Sequence, residues 1–269
     1  MVDEQTTTSE MHLTGDVPMA DRAIKLEGIF NLRDLGGLKT ENDAQVLPGL
    51  IFRGDSLHAL TESDRKVLLD DLHIKTIIDL RTAEESDGDG LQDQRAFPGL
   101  EVHNFSIVPE GRIGREPFPS SDPEKLAARY LENLEEGRDA IRDSLSVIAE
   151  SAQHKRPTIF HCAAGRDRTG LLAGVLLSLA DVRDDEIIAD YVASNRNADQ
   201  VTARLLGNPL YSNSDAPDGD DPVLLRADTM KIFLDLLRSR FGGTEAWALG
   251  NGTSTETITT LKTELLVKS

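Results

Sequence analysis

In a chain of 269 residues, 29 basic and 47 acidic side chains leave a formal charge of −18, a field that repels polyanions and excludes broad binding to nucleic acid or anionic membranes, while one small pocket can still be positive. A single cysteine excludes an intrachain disulfide and any thiolate-rich metal site, and it fits a reducing compartment. The N-terminal MVDEQTTTSEMHLTGD has neither the basic nor the apolar region of a secretory leader, and the longest apolar run, LLAGVLLSLA at 171–180, is too short for stable membrane insertion.

Along the chain, residues 1–22 read as a flexible N-terminal arm and 23–269 as a single domain. The Gly-Gly and Glu-Asn-Asp punctuation within 30–55 predicts a turn-rich hairpin. Residues 60–73 follow as an amphipathic helix opened by Thr61, with Leu68, Leu69 and Leu72 on one face. Strands are expected at 74–81, 101–108 and 156–162. Between the last two lie a helix over 120–134, with Asp122 as cap and Pro123 in its first turn, and a second over about 138–154. The run 166–180 is apolar all round and predicts a central, buried helix. Helical patterns continue over 184–206, 222–241 and 255–267, the middle one after the acidic loop SNSDAPDGDD at 212–221. Strands alternating with helices imply an α/β sandwich, a mostly parallel central sheet flanked by helices with a helical C-terminal part.

The stretch HCAAGRDRTG at 161–170 places the one thiol, Cys162, between a strand and a helix, with Arg168 five residues beyond. A tight loop capping a helix N-terminus aims several backbone N–H groups at one point, and the helix dipole adds positive potential. Arg168 can grip two phosphate oxygens at once. The same field favours thiolate at Cys162, a nucleophile near neutral pH. Gly165 permits the dihedrals such a loop needs, and Thr169 can donate its hydroxyl to the sulfur. Ala163, Ala164, Gly165, Arg166 and Thr169 thus form the substrate-binding wall around Cys162. A lone cysteine at a strand end is commonly a small buried hydrophobe; the spacing to Arg168, the preceding His161 and the Thr-Gly ending weigh against that here.

This loop resembles the signature of protein tyrosine and dual-specificity phosphatases, and more narrowly the HCxAGKDRTG loop of bacterial and fungal tyrosine and lipid phosphatases. FNLRDLGG (30–37), FRGDSLHALTESD (52–64), TIIDLRTAEE (76–85) and FGGTEAWALGNGTSTETITTLKTELL (241–266) extend the likeness in order. The resemblance implies a tyrosine-phosphatase-like fold with a helical lid, here over about 184–241. It also implies hydrolysis of phosphotyrosine, with phosphoserine, phosphothreonine and phosphoinositides as further options, through a phosphocysteine intermediate. One position departs: the family's loop lysine is Arg166 here, a planar fork in place of a compact ammonium. The reaction type is unaffected, but substrate preference is opened, because the resembling position is associated with phosphoinositide recognition.

Expelling an alkoxide or phenoxide needs a proton donor. The interval 105–125 offers Glu110, Glu116 and Asp122, none in a Trp-Pro-Asp setting, and Asp122 has a sufficient role as a helix cap. The resemblance places the acid inside the loop, at Asp167. It also suggests that Asp79, at the end of a predicted strand, lines the pocket; a structural ion pair with Arg81 is the other reading. Arg33, Asp34 and Arg53 read as holding the N-terminal segment against the domain, and His161 as ordering the loop. No metal-ligand spacing and no nucleotide-binding glycine pattern occurs, so no cofactor is expected. Two other readings of the loop are a catalytically silent phosphate-binding module and a sulfurtransferase. The cytoplasm is the default compartment, with non-classical secretion open because the resembling family has secreted members without a conventional signal.

Overall fold

The computed structural model describes residues 22–87, 99–113, 122–207, 209–212 and 224–267. Apart from Arg22, the N-terminal arm lies outside the described residues, as do Glu116 and the acidic loop beyond residue 212. Five strands form one sheet: β1 (Arg33–Asp34), β2 (Ile51–Gly54), β3 (Thr76–Asp79), β4 (Glu101–Asn104) and β5 (Thr158–His161), in the order β1-β2-β5-β3-β4. Only β1 is antiparallel to its neighbour; it is the first arm of the hairpin expected over 30–55, and β2 is the return arm. The remaining pairings are parallel. The strands are shorter than the runs that announced them.

Alternation along the strands divides the core in two. Phe52, Ile77 and Ile159 point to one face and pack with Ile29, Leu32, Leu68 and Ile74. Ile51, Ile78 and Phe160 point to the other and join the larger cluster around Leu171, Leu172 and Val175. This period of two is what a strand buried on both faces requires. The helix expected over 60–73 starts as α1 (Glu62–Lys66) with a Thr61–Asp64 capping box and continues through one wide turn to Asp71. A short helix, α2 (Ala83–Ser86), follows β3 and was not anticipated; Thr82 and Glu85 form its capping box.

Helices α3 (Pro123–Glu136) and α4 (Arg138–Gln153) match the expected pair. The Asp122 carboxylate accepts from the backbone N–H groups of Glu124 and Lys125 at 2.9 and 3.2 Å, so it is the helix cap. Helix α5 (Asp167–Leu179) is the central apolar helix; Leu171, Leu172, Val175 and Leu176 are all buried. The region 184–206 divides into α6 (Asp184–Ala193) and α7 (Ala198–Leu206), joined by a single tight turn. Next come α8 (Pro209–Ser212), α9 (Ala227–Phe241), α10 (Thr244–Gly250) and α11 (Thr255–Glu264). Helices α6 and α9 pack into the core, α9 against α3, whereas α7 and α8 lie beside the loop that follows β5. Among the described residues, no helix is long and apolar enough to cross a membrane.

Candidate active site

The parallel register aligns Gly54, His161 and Asp79 across the sheet, so the loops leaving β2, β5 and β3 meet at its C-terminal edge. Open α/β sheets place their sites there, because the chains diverge and leave a crevice. Cys162 begins the loop between β5 and α5 and is 2 % exposed. Gly165 has φ of +68°, and a Cβ there would lie 2.6 Å from the carbonyl carbon and oxygen of Gly54. Only glycine fits.

Three successive carbonyls of the loop, those of Ala163, Ala164 and Gly165, are engaged from outside. Ala163 O accepts from the Ser56 backbone N–H at 3.1 Å and from Arg204 at 3.0 Å. Asn31 Nδ2 donates to the carbonyls of Ala164 and Gly165, both at 3.1 Å. Arg53 adds a second bond to Gly165 O at 3.0 Å. In a planar trans peptide each carbonyl is opposed by the next residue's N–H. Holding these carbonyls outward therefore turns the amides of Ala164, Gly165 and Arg166 inward, toward the space above Cys162 and the N-terminus of α5. Such a concave row of donors at a helix start is an anion cradle.

Three buried carboxylates, Asp190, Asp55 and Glu85, hold this cradle in place, and none was singled out in the sequence. Asp190 in α6 accepts from Arg22 at 3.1 Å, Arg33 at 3.0 Å and Arg53 at 2.7 Å. Burial opposes its charge, yet the three guanidiniums hold its carboxyl far below the usual carboxylate range. The cost falls on Arg33, where burial and the neighbouring Arg53 bring the guanidinium down to about 10. Arg33 and Arg53 thus hold the N-terminal segment against the core, as expected, while also supporting the loop. Asp34 instead accepts from the backbone N–H groups of Gly36 and Gly49, both at 2.7 Å, stabilising the hairpin. Asp55, fully buried, accepts from Asn31 N and pairs with Arg204 at 2.8 Å.

Glu85 grips Arg168 bidentately, at 2.5 and 2.6 Å. Its Oε2 also closes the α2 capping box by accepting from Thr82 N at 2.9 Å, and the Tyr211 hydroxyl in α8 donates to its Oε1. Burial disfavours the Arg168 cation, but the Glu85 carboxylate and the nearby Cys162 raise its guanidinium well above the ordinary value. The fork of Arg168 is thus locked in one orientation. The Thr-x-x-Glu pattern of residues 82–85 was the available signal for Glu85; for Asp190 it was an acid set among the apolar residues of an otherwise core-facing helix.

Asp167 opens α5, and its Oδ1 accepts from the Tyr130 hydroxyl at 2.7 Å. Among the other acids considered, Glu110 accepts from Ala83 N at 2.9 Å and so serves the start of α2. Thr169 is fully buried, and its hydroxyl has no hydrogen-bond partner among the described residues. Arg166 is buried and near enough to Tyr191 to act on its hydroxyl through charge. Asp79 is held bidentately by Arg81 at 2.9 and 2.7 Å, so its carboxylate is engaged in the ion pair. Burial works against the Asp79 charge, but His161 and Arg81 together hold the carboxyl below its usual range. Among the described residues, no group of three or more His, Cys, Asp or Glu side chains is placed to hold a metal ion.

His161 is completely buried, with Nδ1 3.3 Å from Cys162 O and no partner for Nε2 among the described residues. Burial lowers its pKa below 6.5, only partly offset by Asp79. The unfolded chain therefore binds more protons between that lowered value and 6.5. The stability due to neutral His161 is present above 6.5 and is lost as pH falls toward the folded-state value. Urea unfolding should show a lower midpoint at about pH 5.5 than at 7.5, with a shallower pH dependence in His161→Gln. Equal slopes in the two proteins would refute this.

Residues 24–267 match the sequence profile of the tyrosine phosphatase family. The chain belongs to this family. A tyrosine-protein phosphatase of Nostoc commune is 31% identical over 231 residues, covering 82% of this chain and 76% of the relative. The triple specificity protein phosphatase PtpB of Mycobacterium tuberculosis is 28% identical over 209 residues, covering 67% and 72%. Among solved structures, the core catalytic domain of the PP-IP phosphatase SIW14 from S. cerevisiae aligns with a TM-score of 0.36 at 18% identity, over 64% of this chain and 78% of that one. In this tyrosine phosphatase, the single cysteine of the sequence is buried at the start of the loop whose carbonyls are held outward.

Proposed function

We propose that this tyrosine phosphatase works through Cys162, Asp167 and Arg168. The observation that carries the reading is the outward tethering of the Ala163, Ala164 and Gly165 carbonyls. It aims the intervening amides at the place where a phosphoryl group would stand above the thiol. Electrostatic stabilisation by donors organised before the reaction is commonly the largest catalytic contribution. In the first step the Cys162 thiolate forms an S–P bond and the P–O bond to the leaving group breaks. The electron pair stays on the leaving oxygen, which takes a proton from Asp167. In the second step water attacks phosphorus and gives a proton to Asp167, and the S–P bond returns its electrons to sulfur. Arg168 and the loop amides hold the equatorial oxygens throughout, and Glu85 orients Arg168.

The substrate class we infer is phosphotyrosine together with multiply phosphorylated head groups such as phosphoinositides. Support comes from Arg166, which adds a second guanidinium to the loop, and from the triple specificity ascribed by name to the mycobacterial relative. Phosphate release from a panel of phosphopeptides and phosphoinositides, with Cys162→Ser as control, tests the reading. Activity on both classes supports it; strict confinement to one removes the other. Arg166→Lys should shift the ratio of the two activities by about 3- to 30-fold while leaving p-nitrophenyl phosphate turnover within about 3-fold, since a point charge replaces a bidentate fork. A ratio unchanged by the substitution would exclude Arg166 as a determinant of preference.

A further inference from the structure

We propose that Tyr130 and Tyr191 form a two-hydroxyl chain that positions Asp167 and determines which of its oxygens delivers the proton; this rests on Asp167 being the acid. The three residues come from different elements. Tyr130 is in α3, Asp167 opens α5 and Tyr191 is in α6. Both tyrosines are 1 % exposed. Their hydroxyls are 2.7 Å apart, and Tyr130 Oη is 2.7 Å from Asp167 Oδ1. Packing alone would be served by phenylalanine at both positions, as it is at Phe233, whose ring stands edge-on to Tyr130 at 6.1 Å. Two hydroxyls buried in this apolar setting need a terminal acceptor, and they find it at Asp167.

Proton accounting gives the chain a direction. An ionised carboxylate only accepts, so the single Tyr130 proton goes to Asp167 Oδ1. Tyr130 then has only lone pairs left for Tyr191, which must donate to it. With Oδ1 occupied as an acceptor in the ionised state, the proton that Asp167 takes up is placed on Oδ2, and it is this proton that is transferred. Burial, reinforced by the charge of Asp167, pushes the Tyr130 hydroxyl well above its ordinary pKa, so the chain keeps its protons throughout turnover. When Asp167 loses its proton to the leaving oxygen, the bond from Tyr130 becomes charge-assisted and strengthens. The support therefore grows along the reaction coordinate.

Gly170 makes room for this arrangement. A Cβ on it would stand 3.0 and 3.1 Å from Cδ2 and Cε2 of Tyr191, so a side chain there would press directly on the ring. The glycine that ends the signature loop thus admits Tyr191 against the first turn of α5, within reach of Tyr130.

The test compares kcat/KM for p-nitrophenyl phosphate, whose leaving group departs readily without a proton, and phenyl phosphate, whose leaving group needs one. Asp167→Asn should lose activity on phenyl phosphate by about 100-fold more than on p-nitrophenyl phosphate. Tyr130→Phe should lose in the same sense, roughly 10-fold more on phenyl phosphate. Tyr191→Phe, one hydroxyl further away, should show a smaller discrimination of the same sign and serves as the second variant. A structural role alone would lower both substrates equally. If Asp167→Asn discriminates but both tyrosine variants treat the substrates alike, the positioning role is overturned and the acid assignment stands. If Asp167→Asn fails to discriminate, the acid assignment itself falls.

Discussion

Cys162→Ser should release no measurable phosphate, a loss on the order of 10⁴-fold or more, while still binding a phosphate analogue such as tungstate. The two halves of this expectation come from different parts of the site. Chemistry requires an anionic nucleophile, and a serine hydroxyl beside the same amides does not ionise near neutral pH. Binding requires the inward amides and the locked Arg168, which are held by Asn31, Arg53, Arg204 and Glu85 and not by the sulfur. Phosphate release and calorimetric titration with tungstate measure the two separately. Substantial turnover by the serine variant would sink the phosphocysteine mechanism; loss of tungstate binding would show that the cradle depends on the thiol after all.

Asp190→Asn should destabilise the fold by about 3–5 kcal/mol, the usual cost of removing one partner from a buried ionic cluster. Asparagine keeps the shape but leaves Arg22, Arg33 and Arg53, all under 6 % exposed in their side chains, without a neutralising charge. The sign with pH follows from the depressed carboxyl of Asp190. Its stabilisation is complete above the unfolded value of 3.8 and is lost only as pH falls toward the folded one. The difference between wild type and variant should therefore be constant from about pH 5 upward and shrink in strong acid. Because Arg53 also holds Gly165 O, the folded variant should bind tungstate more weakly. An unchanged urea midpoint, measured at neutral pH, would refute the role of Asp190 as keystone.

The sequence by itself determined whatever depended on local order. The signature at 161–170 contains its own geometry: a strand, a glycine that must take positive φ, an arginine at the right spacing and an apolar helix. Cys162 and Arg168 stood out as candidates because their spacing falls within seven residues, whereas Asp167 was a candidate only through the family resemblance. Strands β3 and β5 were legible too, as short continuous apolar runs, the pattern of strands buried on both faces. The cap at Asp122 and the hairpin that presents Arg33 and Arg53 followed from short-range rules of the same kind.

What only the tertiary structure decided is how that loop is held. Asn31, Asp190, Glu85, Tyr130 and Arg204 lie 37 to 134 residues from the loop residues they contact or reach it through another side chain, as Asp190 does through Arg53. Each is a common residue, and where its neighbours mark it at all, as the capping box marks Glu85, they mark a local role and not its partner in or beside the loop. Asp79 shows the reverse case: it stands at the right end of the right strand, yet its carboxylate is occupied by Arg81 two residues away. The physical reason is the same for all of them. A buried polar group must find its partner wherever the fold brings one, and that pairing is a property of distance in space, whereas hydrophobic periodicity and turn chemistry are properties of distance along the chain.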